Sequence, residues 1–121
     1  MSSSSKMYIC VRDAVPDFMV PTLVGHAVLR HHIFAQDNDR DEWKPERQYT
    51  TIYKDWLRES FKKCVVRMNE KEFNKVLELD GIVCSWENST LNGATSCVTI
   101  VVEKDIPNVL KFAKLWSPKN D

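Results

Sequence analysis

Short apolar, β-branched runs alternate along the chain with stretches whose apolar residues recur every three or four positions, which predicts a mixed α/β protein. Met7-Tyr8-Ile9-Cys10-Val11-Arg12 reads as a central strand ended by Asp13. Leu23, Val24, Ala27, Val28 and Phe34 have helical spacing, and Pro21 suits a first helical turn, so a helix is predicted over about 21–35. Gln36 to Gln48 is polar, charge-dense and holds Pro45, as a mobile surface loop would. Ile52, Trp56 and Leu57 then predict a shorter helix between Tyr49 and Ser60. Lys62 to Met68 is a second strand. Asn69 with Glu72 has capping-box spacing for a helix whose apolar face is Phe73, Val76, Leu77 and Leu79, stopped by Asp80-Gly81. Ile82 to Trp86 and Ala94 to Glu103 are strands flanking a turn-rich Asn88–Gly93. A last helix, capped by Asp105, is predicted near Pro107, packing through Val109, Leu110, Phe112, Ala113 and Leu115.

The order β-α-(α)-β-α-β-β-α predicts one domain: a four-stranded mixed sheet with helices on both faces, spanning about 7–116 between a Ser-rich lead at 1–6 and a tail at 117–121. Crossovers through helices favour parallel strands one, two and three; the short third connection favours an antiparallel pair of strands three and four.

Charge and length narrow the classes. The 121 residues carry 17 basic and 17 acidic side chains, evenly spread, which argues against a histone-like role while allowing a local basic patch. No apolar run approaches the ~20 residues of a membrane span, and no hydrophobic stretch follows a basic start as in a secretion signal. The expected setting is cytoplasmic, and the Asn88-Ser89-Thr90 glycosylation sequon is discounted accordingly. Cys10, Cys64, Cys84 and Cys97 lack zinc spacing and sit among apolar neighbours, so core packing is the ordinary reading, with a reactive thiol or metal site as the alternatives. Asp37, Asp39 and Asp41 imitate a calcium loop, but Glu42 and Gln48 stand where Gly and Glu are needed.

No phosphate-binding glycine loop, zinc-protease helix or nucleophile elbow is present. Of three histidines, His31 and His32 read as polar residues near a helix end. His26 lies early in the helix that leaves strand one, where catalytic groups of open α/β sheets gather, although a satisfied structural histidine has the same spacing. If strands one and three are adjacent, Arg12, Asp13, His26 and Glu87 line one cleft; a surface salt-bridge cluster is the plainer alternative.

Val11-Arg12-Asp13 followed by Gly25-His26-Ala27, and Lys63-Cys64-Val65-Val66 followed by Gly81-Ile82-Val83 and a polar loop, resemble the type-2 peptidyl-tRNA hydrolases, the archaeal and eukaryotic kind. Glu87 stands where that family has the acid that opens its active-site loop, and Thr99 at its second threonine. The resemblance spans about 6–116, with 36–60 divergent. It implies hydrolysis of the ester between a peptidyl group and the tRNA 3′ end, with His26, Glu87 and Thr99 catalytic: acid and imidazole activating water, threonine and backbone N–H groups meeting the oxyanion. It further implies substrate contacts from Arg12, Asp13, Thr90, Thr95, Lys62 and Lys63, no metal or cofactor, peptidyl-tRNA as partner, no membrane, and a homodimer as in many members.

The sequence also departs from the family. Its Gly-Lys-rich segment is replaced by Val15-Pro16-Asp17-Phe18-Met19-Val20-Pro21, which has no lysine; Lys62, Lys63 and Lys104 are the candidate substitutes. The competing expectation is therefore a hydrolase-like domain without catalysis that binds a protein or RNA, for which the neutral charge and the exposed-looking Trp43 and Trp56 argue.

Overall fold

The apolar run near the start of the chain becomes the centre of the sheet. In the computed structural model, which describes residues 5–38 and 47–119, β1 (Lys6–Arg12) buries five consecutive residues, Met7 to Val11. A strand covered on both faces reads as continuously apolar because neither face meets water. Pro16 leads through a 3-10 turn, Asp17–Met19, into α1 (Val20–Asn38), with Pro21 in its first turn. There follow α2 (Arg47–Arg58), β2 (Lys62–Met68), α3 (Glu70–Leu77), β3 (Val83–Trp86), β4 (Thr95–Val102), the one-turn α4 (Asn108–Lys111) and β5 (Lys114–Leu115). The Asn69 carboxamide accepts the Glu72 N–H at 2.8 Å, and Glu72 accepts the Asn69 N–H at 2.9 Å, so the expected capping box starts α3. Gly81, at φ +84°, lies where a Cβ would meet the Tyr49 ring at 2.6 Å, so both backbone and space require glycine.

The sheet order is β3-β4-β1-β2-β5. β1 pairs parallel with β2 and antiparallel with β4, which pairs antiparallel with β3. Strands β1, β2 and β3 therefore all end at one edge of the sheet, where β4 begins. Alternation along the strands divides the core in two. Met7, Ile9, Val11, Cys97 and Val101 pack against Leu23 and Ala27 of α1 and Trp56 of α2. Tyr8, Cys10, Val66, Met68, Val98 and Ile100 pack against Phe73 and Val76 of α3 and Leu110 of α4. Helices cover both faces, as the pattern predicts.

Several expectations are corrected. The sheet has five strands among the described residues, not four: the predicted last helix stops after one turn, and Lys114–Leu115 pairs with Val66–Arg67 on the outer side of β2. Ending the helix gives the backbone of β2 an antiparallel partner, and Phe112 and Leu115 are left exposed instead of packed. Pro107, not Asp105, precedes α4; Asp105 adopts φ 53° in the turn before it. Strands one and three are not neighbours, because β4 lies between them. Trp56 is buried, its indole N–H donating to the Lys62 carbonyl at 2.6 Å, and Leu77 is partly exposed. Ser5 and Lys6, expected in an unstructured lead, belong to the sheet region: Ser5 is buried and its carbonyl accepts the Ser60 hydroxyl. Ser117 and Lys119, expected in a tail, are tied to Arg67 and Asp17. α1 runs three residues past the predicted end; Trp43, Asp39, Asp41 and most of the predicted loop lie outside the described residues.

All four cysteines are free thiols. Burial pushes Cys10 and Cys97 up to about 12 and raises Cys64 and Cys84, which suits thiols acting as small apolar groups. Among the described residues, no group of three or more His, Cys, Asp or Glu side chains is arranged to hold a metal. Nor is any described helix long and apolar enough to cross a membrane.

Candidate functional site

The common end of β1, β2 and β3 is where open α/β sheets build ligand sites, because crossovers leave a crevice beyond the strand ends. Glu87 is the first residue past β3. Its carboxylate is held by donors from its own loop: the Ser89 hydroxyl at 2.5 Å, the Ser89 N–H at 2.9 Å and the Thr90 hydroxyl at 2.8 Å. These hydrogen bonds, led by the Ser89 hydroxyl and helped slightly by the charge of His26, lower its pKa to about 2. His26 is exposed on the second turn of α1, the helix that packs against β3. The loop then passes through Leu91, Asn92 and Gly93, all with positive φ. A left-handed leucine costs on the order of 1–2 kcal/mol, offset here by packing of Leu91 against the α1 core. Beside it opens a cleft of about 410 Å³ lined by Arg12, Ala14, Glu70, Leu91, Asn92 and Ala94.

The strand ends also bring Arg12 and Asp13 to this edge, but each is committed elsewhere. Arg12 grips Glu70 in bidentate fashion, Nε and Nη2 each 2.7 Å from a carboxylate oxygen, and its Nη1 donates to the Thr95 carbonyl at 3.0 Å. Glu70 is correspondingly held below its ordinary pKa by the Arg12 hydrogen bonds. Asp13 faces Arg67 at 3.6 Å and Lys119 at 3.8 Å. Asp17 joins this network through Arg67 at 2.8 Å, which lowers its pKa. Thr95 contributes its carbonyl to Arg12, and Thr90 its hydroxyl to Glu87.

Four of the expected residues lie elsewhere. Lys62 and Lys63 begin β2, where Lys62 pairs with Lys6; that is the opposite edge, roughly 20 Å from the level of Arg12 at strand rise. Lys104 follows the end of β4 on that same far edge. Thr99 is fully buried within β4, opposite Ile9 and Val83, four residues or roughly 13 Å below Thr95. Its hydroxyl shares a 2.7 Å hydrogen bond with Nδ1 of His31.

His31 is the residue that the sequence reading misplaced. It is buried, stacks on Tyr53 with ring centroids 4.9 Å apart, and its pKa falls to about 4 through burial. Tyr53 in turn shares a 2.8 Å hydrogen bond with Nδ1 of His32. Because α1 extends to Asn38, His31 sits in mid-helix, one turn beyond Ala27 and one before Ala35 on the buried stripe. The sequence carries that spacing, since Ala27, His31 and Ala35 fall four residues apart.

Among known proteins, no family model matches the chain and no curated protein matches it significantly.

Proposed function

We propose that the chain is a hydrolase of the ester between a peptidyl group and the tRNA 3′ end, with His26 and Glu87 as the acting pair. The observation that carries this reading is a carboxylate fixed by the Ser89 and Thr90 hydroxyls at the strand-end edge of the sheet, just past β3, against which packs α1, the helix that carries the exposed His26. Its chemistry divides the roles. A carboxylate with a pKa near 2 is a weak proton acceptor, so Glu87 orients and stabilises an imidazolium. His26, exposed to solvent, then takes the proton from the attacking water and returns it to the leaving 3′-oxygen. Thr90 positions the carboxylate from behind. No metal or cofactor enters this scheme.

A second reading, a non-catalytic domain that binds a protein or RNA, is favoured by a separate observation. The groups expected to meet phosphate and oxyanion are engaged or distant: Arg12 with Glu70, Thr99 with His31, and Lys62 and Lys63 at the far edge.

Release of an N-acetylated amino acid from tRNA at pH 7 separates the two. The hydrolase reading expects turnover above background, a roughly 10²-fold or greater loss in His26→Ala, and a substantial loss in Glu87→Gln. Turnover at background with folded wild-type protein discards it and leaves the binding domain.

A further inference from the structure

A groove runs between α1 and the edge strand β3. Its walls include Arg30, Ile33, Phe34, Ile82, Cys84 and Trp86, and its volume of about 340 Å³ falls within the range of small-ligand sites. Helical spacing makes it continuous with the candidate site: Arg30 is one turn beyond His26 on α1, and Trp86 immediately precedes Glu87.

Trp86 is 42% exposed at the mouth of this groove. The Arg30 guanidinium lies over its ring, 4.2 Å from the centroid. Arg30 Nε is buried without a hydrogen-bond partner. The cation is therefore held in place by the indole face, with a donor still unsatisfied. An exposed indole, a cation stacked on it and an apolar slot together match a planar ring joined to a phosphate. A peptide strand is a poorer fit, since β3 has four residues and its ladder with β4 slips between Ser85 and Trp86, which spoils the edge as a template.

We propose that this groove is a nucleobase subsite, in which an unpaired base of single-stranded RNA stacks on Trp86 while Arg30 meets the adjoining phosphate. The subsite deepens the proposed function and rests on it only for the kind of RNA. In that setting the base nearest the ester occupies the groove while the ester lies against His26 and Glu87.

The test is fluorescence anisotropy of a short 5′-labelled single-stranded oligoribonucleotide titrated with the full chain, beside the same oligonucleotide lacking its 3′-terminal base. Wild type should bind the complete oligonucleotide, more weakly as salt rises. Removing the base or making Trp86→Leu should weaken binding by about tenfold, and Arg30→Gln severalfold, with circular dichroism showing that both variants are folded. Equal affinity of wild type and Trp86→Leu, or no binding by folded wild type, overturns the subsite. Self-association lost in Trp86→Leu, without RNA binding, also overturns it and assigns the groove to a second copy. Trp86-dependent RNA binding by a protein that hydrolyses no ester keeps the subsite and discards the hydrolase reading alone.

Discussion

The two faces of the sheet are built from the same strands but do different work. Under α3 and α4 the core is apolar: Phe73, Val76 and Leu110 rest on Val66, Met68, Val98 and Ile100. Under α1 and α2 the core is interrupted by polar pairs, Thr99 with His31 and Tyr53 with His32. The first face fills space, and any apolar packing of similar volume serves it. The second face fixes how α1 lies on the sheet, because a buried imidazole is tolerated only where its partner is. The same helix carries His26 and presents Arg30 to Trp86. The polar face is thus the one that positions the candidate chemistry.

That contrast can be broken by substitution. Phe73→Ala on the apolar face should cost the most, about 3–5 kcal/mol, read as a lower urea midpoint; with the site on the other face, groove binding by the still-folded fraction should persist. A cost below about 1 kcal/mol would mean that α3 contributes little to the core.

The polar face should be the pH-sensitive one. His31 titrates near 6.5 when unfolded and about 4 when folded. Between these values the unfolded chain binds the additional proton, so stability is full above 6.5 and falls as pH drops through the window. Between pH 7 and pH 5 the loss is about 2 kcal/mol, above the range in which the lowered carboxylates Glu87, Glu70 and Asp17 begin to protonate. Urea melts at the two pH values should show this loss in wild type and a flatter response in His31→Gln. An equal slope in both proteins would remove His31 as its source.

The smallest effect belongs to the surface pair at the strand-end edge. Glu70→Gln should shift the thermal midpoint by no more than about 3 °C, since exposed ion pairs contribute little. It also frees Arg12 from its bidentate carboxylate. If the edge meets a phosphate, RNA affinity should rise in Glu70→Gln, and unchanged affinity would exclude Arg12 from the contact.

Much of this was legible before any coordinates. Continuous apolar runs marked β1 and β4, the Asn69–Glu72 spacing marked the start of α3, and apolar cysteine neighbours marked the buried thiols Cys10 and Cys97, though Cys64 and Cys84 are only half-buried, because each signal is local in the chain. The conversion of the predicted last helix into α4 and β5 was not local: it depends on an outer edge of β2 that exists only once the sheet forms. Trp56 reads as an exposed aromatic until the start of β2 supplies a carbonyl for its indole.

By itself the sequence determined the class of the domain, the order of its elements as far as β4 and the local capping pair of Asn69 with Glu72. Which distant residues meet was decided by the strand order β3-β4-β1-β2-β5. Inserting β4 between β1 and β3 buried Thr99 beneath His31, and the parallel register of β2 on β1 put Lys62 and Lys63 at the far edge. Register and strand order are set by the summed burial of two faces, a quantity that no single stretch of sequence contains.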